Sequence, residues 1–423
     1  MKFTTLALIF LIQICTLKAQ PGGGTWTARP TGNTDSYLDV KIVSANEAWI
    51  VGTGGIVLKS TNLITWLQEE ITSNDPAYLF RSFLDLGGQK RILVGGTNLP
   101  VNSVGGTIVN PNRSSAFLSN DAGDSWTAFN GTAITSTTRW LSDITRRGET
   151  QLWGPGYFYN PTQKVYVCRI VYSPDLGGTW IQHSNIIDKK MNKMVFLSDD
   201  IGLIAADEGT IVRTTNGGAD WTQTSTMTSQ ELTDIVKVTE TTAFAVGRTG
   251  TIVKTVNGGQ SWTSVLSNTT KHLFSIDFKD DFQGYIVGEA GTLLKTMDGG
   301  TTWTSEGLPT TQDLNAVTFN DSGNLGFAVG NNGIVFSYFD NFSSVENTKE
   351  IDFTVYPNPV EKRLFVSVPI VDNYTISIVS TLGKEVVKVS NQNSIDVSNL
   401  PNGTYYVHLT SLKGTLRSRF VKL

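Results

Sequence analysis

The chain has 423 residues, a formal net charge of −4 and two cysteines. Its length exceeds one small core and predicts two domains. No basic block and no acidic tail occurs, which excludes nucleic acid as a partner, and a Thr-, Ser-, Val- and Ile-rich pattern without helical periodicity predicts short strands and tight turns.

In chain order, residues 1–19 come first. Lys2, an apolar run from Leu6 to Leu17 and Ala19 as cleavage residue predict a secretory signal peptide, too short to span a bilayer. Ile14 is too bulky before Cys15 for a lipoprotein signal. Cleavage removes Lys2 and Lys18 and leaves a charge of −6. It also leaves Cys168 alone, so no intramolecular disulfide can hold the exported chain. Within "KVYVCRIVYS" that cysteine reads as a small core residue. No later run of eighteen apolar residues occurs, so no membrane span is expected.

Residues 20–340 repeat. The stretch "RTTNGGADWTQT" returns as "KTVNGGQSWTSV" and "KTMDGGTTWTSE", each copy forty-one residues after the last. Turn copies end at Trp66, Trp126, Trp180, Trp221, Trp262 and Trp303; a further copy, "SYFDNFSS", keeps the frame but has Ser344 where Trp is due. The N-terminal "GGGTW", ending at Trp26, is a back half without a front half. Between turns lie apolar or alternating segments such as "LTDIVKV", "TAFAVG" and "GTIVKT", bounded by Gly, Asn or Thr, as strands are. Four short antiparallel strands per interval build a propeller blade, with an open solenoid as the alternative. The truncated ends favour a seven-bladed ring in which Thr25 to Arg29 supply the outer strand of the final blade and remove an open edge.

The turns follow S/T-x-D/N-x-G-x-T/S-W. Asp or Asn accepts bonds from the backbone that follows it, Gly permits positive φ, and Ser or Thr anchors the hairpin. The Trp is expected to pack between blades. This pattern resembles the Asp-box of bacterial neuraminidase repeats, and "GxxGTIxKTxNGGxxW" is similar to the propellers of photosystem II assembly factors. Recurrence in every blade makes the turn a building device rather than a site. Each turn offers too few oxygens for calcium at Asp121, Asp175 or Asp298, and no cofactor or metal is expected.

Function is therefore expected on the opposite face, where the turns from second to third strand vary: Thr53-Gly54, Asp207-Glu208, Arg248-Thr249, Glu289-Ala290 and Asn331-Asn332. Two intervals exceed the repeat, through "TNLPVNSVGGTIVNPNRSS" and "WGPGYFYNPTQKVY". Trp153, Tyr157, Phe158 and Tyr159 crowd the second. Exposed on a loop they would offer a sugar- or peptide-binding surface with Arg248; otherwise they form a local mini-core. Asp39, Asp143, Lys193 and Asp234 occupy equivalent positions on innermost strands and are expected to line the central channel.

After a polar linker, residues 341–350, the repeat stops. Residues 351–423 alternate in short strands between Pro-Asn-Pro, Leu-Gly-Lys and Pro-Asn-Gly turns, predicting a small immunoglobulin-like β-sandwich. Tyr356-Pro357-Asn358-Pro359, Leu382-Gly383-Lys384 and Leu400-Pro401-Asn402-Gly403-Thr404-Tyr405 closely resemble the type A C-terminal sorting domain of the type IX (Por) secretion system. That resemblance implies the type IX secretion machinery as a partner and export across an outer membrane, to release or surface attachment. The leading function is a secreted or cell-surface, non-catalytic propeller that binds a protein or glycan. The alternative is a glycoside hydrolase of sialidase or endoglucanase type. The early Arg-Ile-Pro of sialidases is missing, and an endoglucanase would need two channel aspartates as its carboxylate pair. Three histidines without His-x-x-x-His spacing argue against a zinc site.

Overall fold

The computed structural model describes residues 24–69, 71, 78–97, 116–128, 138–160, 165–340, 354–367, 374–380, 385–411 and 414–423. The expected signal peptide, the linker 341–350, the Leu382-Gly383-Lys384 turn and nearly all of the first insertion lie outside these residues. The chain forms two compact units, one built chiefly on Trp26–Phe339 and the other chiefly on the residues from Asp340 onward.

The first unit is an all-β propeller. Four sheets keep a plain antiparallel meander: Tyr37–Ile42 to Leu67–Gln68, Met191–Phe196 to Thr222–Ser225, Leu232–Lys237 to Thr263–Ser264, and Leu273–Phe278 to Thr304–Ser305. A nine-stranded sheet carries two further sets. In it Tyr78–Gly87, Lys90–Thr97, Ala116–Ser119 and Thr127–Ala128 join Thr145–Arg147, Gln151–Asn160, Val165–Ser173 and Ile181–Ile187 through Thr138–Leu141.

The last sheet closes the ring. Leu314–Phe319, Leu325–Gly330 and Val335–Phe339 take Thr25–Ala28 as their fourth strand. Trp26 then packs 5.2 Å from Tyr338 and 5.6 Å from Tyr285, ring centre to ring centre. On the channel side Asn315 Nδ2 donates to Tyr37 O at 2.8 Å. Tyr37, Ile50 and Leu58 of the first sheet share one buried cluster with Phe327, Val329 and Val335 of the last. An open solenoid has no such shared core.

Between sheets the core repeats itself. The second strands are buried throughout, as in Ala48–Gly52, Ala243–Gly247 and Gly284–Gly288, so they read as continuous apolar runs rather than alternating ones. Each turn tryptophan is seated between its own sheet and the preceding one. Trp262 joins Leu203 and Ile211 to Ala245 and Val253, and Trp303 joins Phe244 and Ile252 to Ile286 and Leu294. Burying a large apolar side chain is worth about 1.5–3 kcal/mol, so each tryptophan adds to the apolar contact that holds neighbouring blades together.

The second unit holds two sheets. One holds Thr354–Tyr356, Arg363–Ser367 and Ser394–Asp396; the other holds Glu385–Ser390, Tyr374–Ser380, Gly403–Ser411 and Gly414–Lys422. Leu364, Val366 and Ile395 of the first, with Ile376, Ile378, Val407 and Phe420 of the second, are buried.

Candidate functional site

The turns that carry the tryptophans satisfy themselves. In the turn after Ala116–Ser119, Ser119 Oγ donates to Asp121 Oδ1 at 2.7 Å and accepts from Gly123 N at 2.8 Å. Asp121 also accepts from Ser125 N and Ser125 Oγ. The same lattice recurs at Ser173 and Asp175, at Thr296 and Asp298, and with Asn at Thr214 and Asn216 and at Thr255 and Asn257. A basic side chain from the preceding blade braces each of several turns: Lys59 Nζ to Ala122 O, Arg213 Nε to Gly258 O and Lys254 Nζ to Gly299 O. The Ser, Thr, Asp and Asn side chains of these turns are spent inside the hairpin.

The Ser125 hydroxyl, then its amide and the Ser119 hydroxyl, hold the Asp121 carboxyl down at about 2. A depressed folded pKa means that the stabilisation is present above the ordinary 3.8 and is lost as pH falls through about 2. Asp121→Asn is expected to keep the hairpin at neutral pH, as Asn216 and Asn257 already do, while flattening its acid dependence. Thermal unfolding from pH 5 to 2 checks this; a variant as acid-labile as the parent refutes it.

The carboxylates expected in the channel are likewise engaged. Asp39 Oδ2 accepts from Phe83 N at 3.0 Å, Asp143 Oδ2 from Met194 N at 3.0 Å, and Asp234 Oδ2 from Ile276 N at 2.9 Å. Each donor belongs to the innermost strand of the next blade. Asp39 and Asp234 accept in addition from Val40 N and Ile235 N. Lys193 Nζ lies 3.0 Å from Asp143 Oδ1. Burial opposes its charge, but Asp143, Asp39 and Asp234 together hold its ammonium above the ordinary lysine range. Burial pushes up the carboxyls of Asp234 and Asp277, the latter to about 6. The three aspartates thus staple their blades to the next ones with Lys193 as counter-charge, and the two amides on each of Asp39 and Asp234 leave little of those carboxylates for substrate.

Sequence reasoning missed the tier beside it. Ser142 Oγ donates to Met191 O, Asn192 Nδ2 to Leu232 O and Thr233 Oγ1 to Leu273 O, as Asn315 does to Tyr37 O. The readable signal was a small polar residue immediately before the channel position in four copies.

The opposite face is built from the second-to-third-strand turns. Glu208, Thr249, Ala290 and Asn332 there hold φ of 54–56°. Arg248 Nε pairs with Glu231 Oε2 at 3.1 Å, and its guanidinium lies 5.8 Å from the Phe274 ring centre. Lys190 reaches the same Glu231, and Lys189 reaches Glu208.

Trp153 requires a correction. It is 4% exposed, stacked 4.7 Å from Tyr172 and packed 6.0 Å from Trp221. The extra residues lengthen a hairpin instead of forming a loop: Gln151–Asn160 pairs continuously with Val165–Ser173, placing Tyr157, Phe158 and Tyr159 opposite Cys168, Val167 and Tyr166. Trp153 therefore fills the interblade slot that Trp49 and Phe244 fill elsewhere.

In the C-terminal unit Asn358 is structural, accepting from Val421 N at 2.9 Å and donating to Arg419 O at 3.2 Å. The exposed Tyr356 stacks on Phe365, and Pro357 and Pro359 are exposed beside it. Pro401 O accepts from Tyr405 Oη at 3.0 Å, and Asn402 and Gly403 open the strand Gly403–Ser411.

Among the described residues no group of three His, Cys, Asp or Glu is placed to hold a metal ion, and no helix is long and apolar enough to cross a membrane. No curated relative matches the chain. Two solved structures of similar fold are "YCF48 bound to D1 peptide" and "YCF48 from Cyanidioschyzon merolae". Both are 16% identical with a TM-score of 0.57, over 77% and 74% of this chain and 99% and 98% of theirs. The WD40 β-propeller domain of Doa1 is similar at 12% identity and a TM-score of 0.57, over 76% of this chain and 98% of its own. Residues 264–349 match the family model for the photosynthesis system II assembly factor YCF48, and residues 354–423 match that of the secretion system C-terminal sorting domain.

Proposed function

We propose that this chain is a seven-bladed propeller exported by the type IX secretion system through its C-terminal unit, and that it binds or scaffolds a protein partner at or beyond the cell surface. The observation that carries the reading is the division of labour between the two faces. Hairpins on one side spend their side chains on their own backbone, whereas turns on the other present residues that differ from blade to blade around Arg248. The similar YCF48 structure was solved with a peptide bound, which supports a peptide or protein over a glycan. The carboxylates that a glycosidase would need in the channel are committed to backbone amides.

A photo-crosslinking amino acid tests the assignment when placed at Thr249 on the variable face or at Val256 on the hairpin face, both exposed. In the exported protein on intact cells, adducts are expected from position 249 and not from 256. Adducts confined to 256 overturn the reading.

A further inference from the structure

The turn that presents Arg248 is fastened across a blade boundary by a histidine. Thr249 N donates to His272 Nδ1 at 3.0 Å. This bond assigns the tautomer, because Nδ1 must carry a lone pair and the proton must sit on Nε2. At the next boundary Ala290 N donates to Asp313 Oδ1 at 2.8 Å. The two contacts are equivalent in the repeat. They differ in one respect: a carboxylate remains an acceptor through the physiological range, whereas an imidazole that takes a second proton becomes a donor at both nitrogens.

We propose that His272 is an acid-sensitive latch on the partner-binding rim, its neutral ring locking the Arg248–Gly250 turn of one blade to the next blade and its protonation releasing that turn. The link to a partner rests on the function proposed above; the latch itself does not.

Protonation would set two N–H groups against each other at 3.0 Å, and one must withdraw. Thr249 holds φ of 55°, a left-handed conformation that a β-branched residue keeps only where its surroundings enforce it. Its remaining side-chain tie is Thr249 Oγ1 to Gln230 Oε1 at 3.0 Å, on the preceding side. The charged groups around the latch are Glu289, whose Oε2 accepts from His272 N at 3.0 Å, and Arg248 in the latched turn and Lys271 beside His272 in sequence, both of which act on Glu289. Glu231 lies beyond Arg248 and neutralises it. The amide of His272, ahead of smaller contributions from neighbouring cations, holds the Glu289 carboxyl below the usual range. It therefore stays anionic as acid is added, a carboxylate already bound to the amide of the residue that carries the imidazolium.

Amide hydrogen exchange of Thr249, measured on the whole chain by NMR between pH 8 and 5 and corrected for intrinsic rates, tests the latch without any ligand. Ala290, held by Asp313, is the internal reference. Thr249 protection is expected to fall about three- to tenfold, the net worth of one hydrogen bond, in step with the imidazole resonances of His272, while Ala290 keeps its protection. His272→Asn retains an acceptor near the Nδ1 position and is expected to hold Thr249 protected at both pH values. Thr249 protection that ignores the imidazole titration, or that falls equally at Ala290 or in His272→Asn, overturns the latch. Crosslinking at the rim can succeed or fail independently of this result.

Discussion

Gly300→Ala is expected to destabilise the propeller by about 2–5 kcal/mol, combining the left-handed backbone cost with overpacking. Gly300 sits at φ +74°, and a Cβ added there would stand 2.3 Å from Phe244 Cζ. Phe244 cannot step aside. It is fully buried, stacks 5.1 Å from Phe278 and lies edge-on to Trp303 at 6.4 Å. Gly218 meets Trp153 and Gly123 meets Trp49 in the same way, at 2.4 and 2.3 Å. The glycine is therefore needed twice, for its turn and for the neighbouring blade's aromatic ring. Gly307 is the control, because nothing lies within 4 Å of a Cβ there; Gly307→Ala should be neutral or stabilising by up to about 1 kcal/mol. Urea unfolding of both variants at pH 7 decides the matter. Equal midpoints would mean that the blades slide apart at little cost and that the hairpins do not lock them.

That double use of glycine explains what the sequence could and could not reveal. The forty-one-residue spacing, the Gly-Gly turns and the displaced Trp26 were enough to place the strands and the closing strap, because turn chemistry and strand period are local. Trp153 was misjudged because an insertion lengthens the chain without saying whether it becomes loop or ladder. Comparing "WGPG" with "WIVG", "FAVG" and "YIVG" was the available clue: an aromatic followed three residues later by Gly marks the interblade slot. The bonds from Ser142, Asn192, Thr233 and Asn315 were invisible for another reason. Each links residues some forty positions apart or, for Asn315 and Tyr37, across the ring, and nothing in a local pattern states which carbonyl a side chain will meet. The face that carries Arg248 was legible as a place, through its variable turns, but not as a mechanism, since the His272 contact depends on two blades at once.

Lys193→Met is expected to cost about 2–4 kcal/mol at pH 7, toward the lower end for stranding a buried ion-pair partner because a quarter of the lysine side chain is exposed. The substitution keeps most of the volume and removes the one ammonium set 3.0 Å from Asp143 and within the fields of Asp39 and Asp234. The sign with pH separates charge from packing. In the parent the folded lysine pKa lies above its ordinary 10.5, so its stabilisation is complete below that value and fades only in alkali. In the variant three carboxylates share a channel without their counter-charge, and acid relieves them by protonation. The deficit should therefore shrink steadily as pH falls from 7 toward about 4, where carboxylates titrate, and denaturant midpoints of parent and variant at the two extremes measure it. A deficit unchanged with pH would reduce Lys193 to a spacer. A deficit that closes in acid would instead establish that the lysine, at a position where other blades place Asp, Ser or Ala, supplies the charge that lets the aspartates staple one blade to the next.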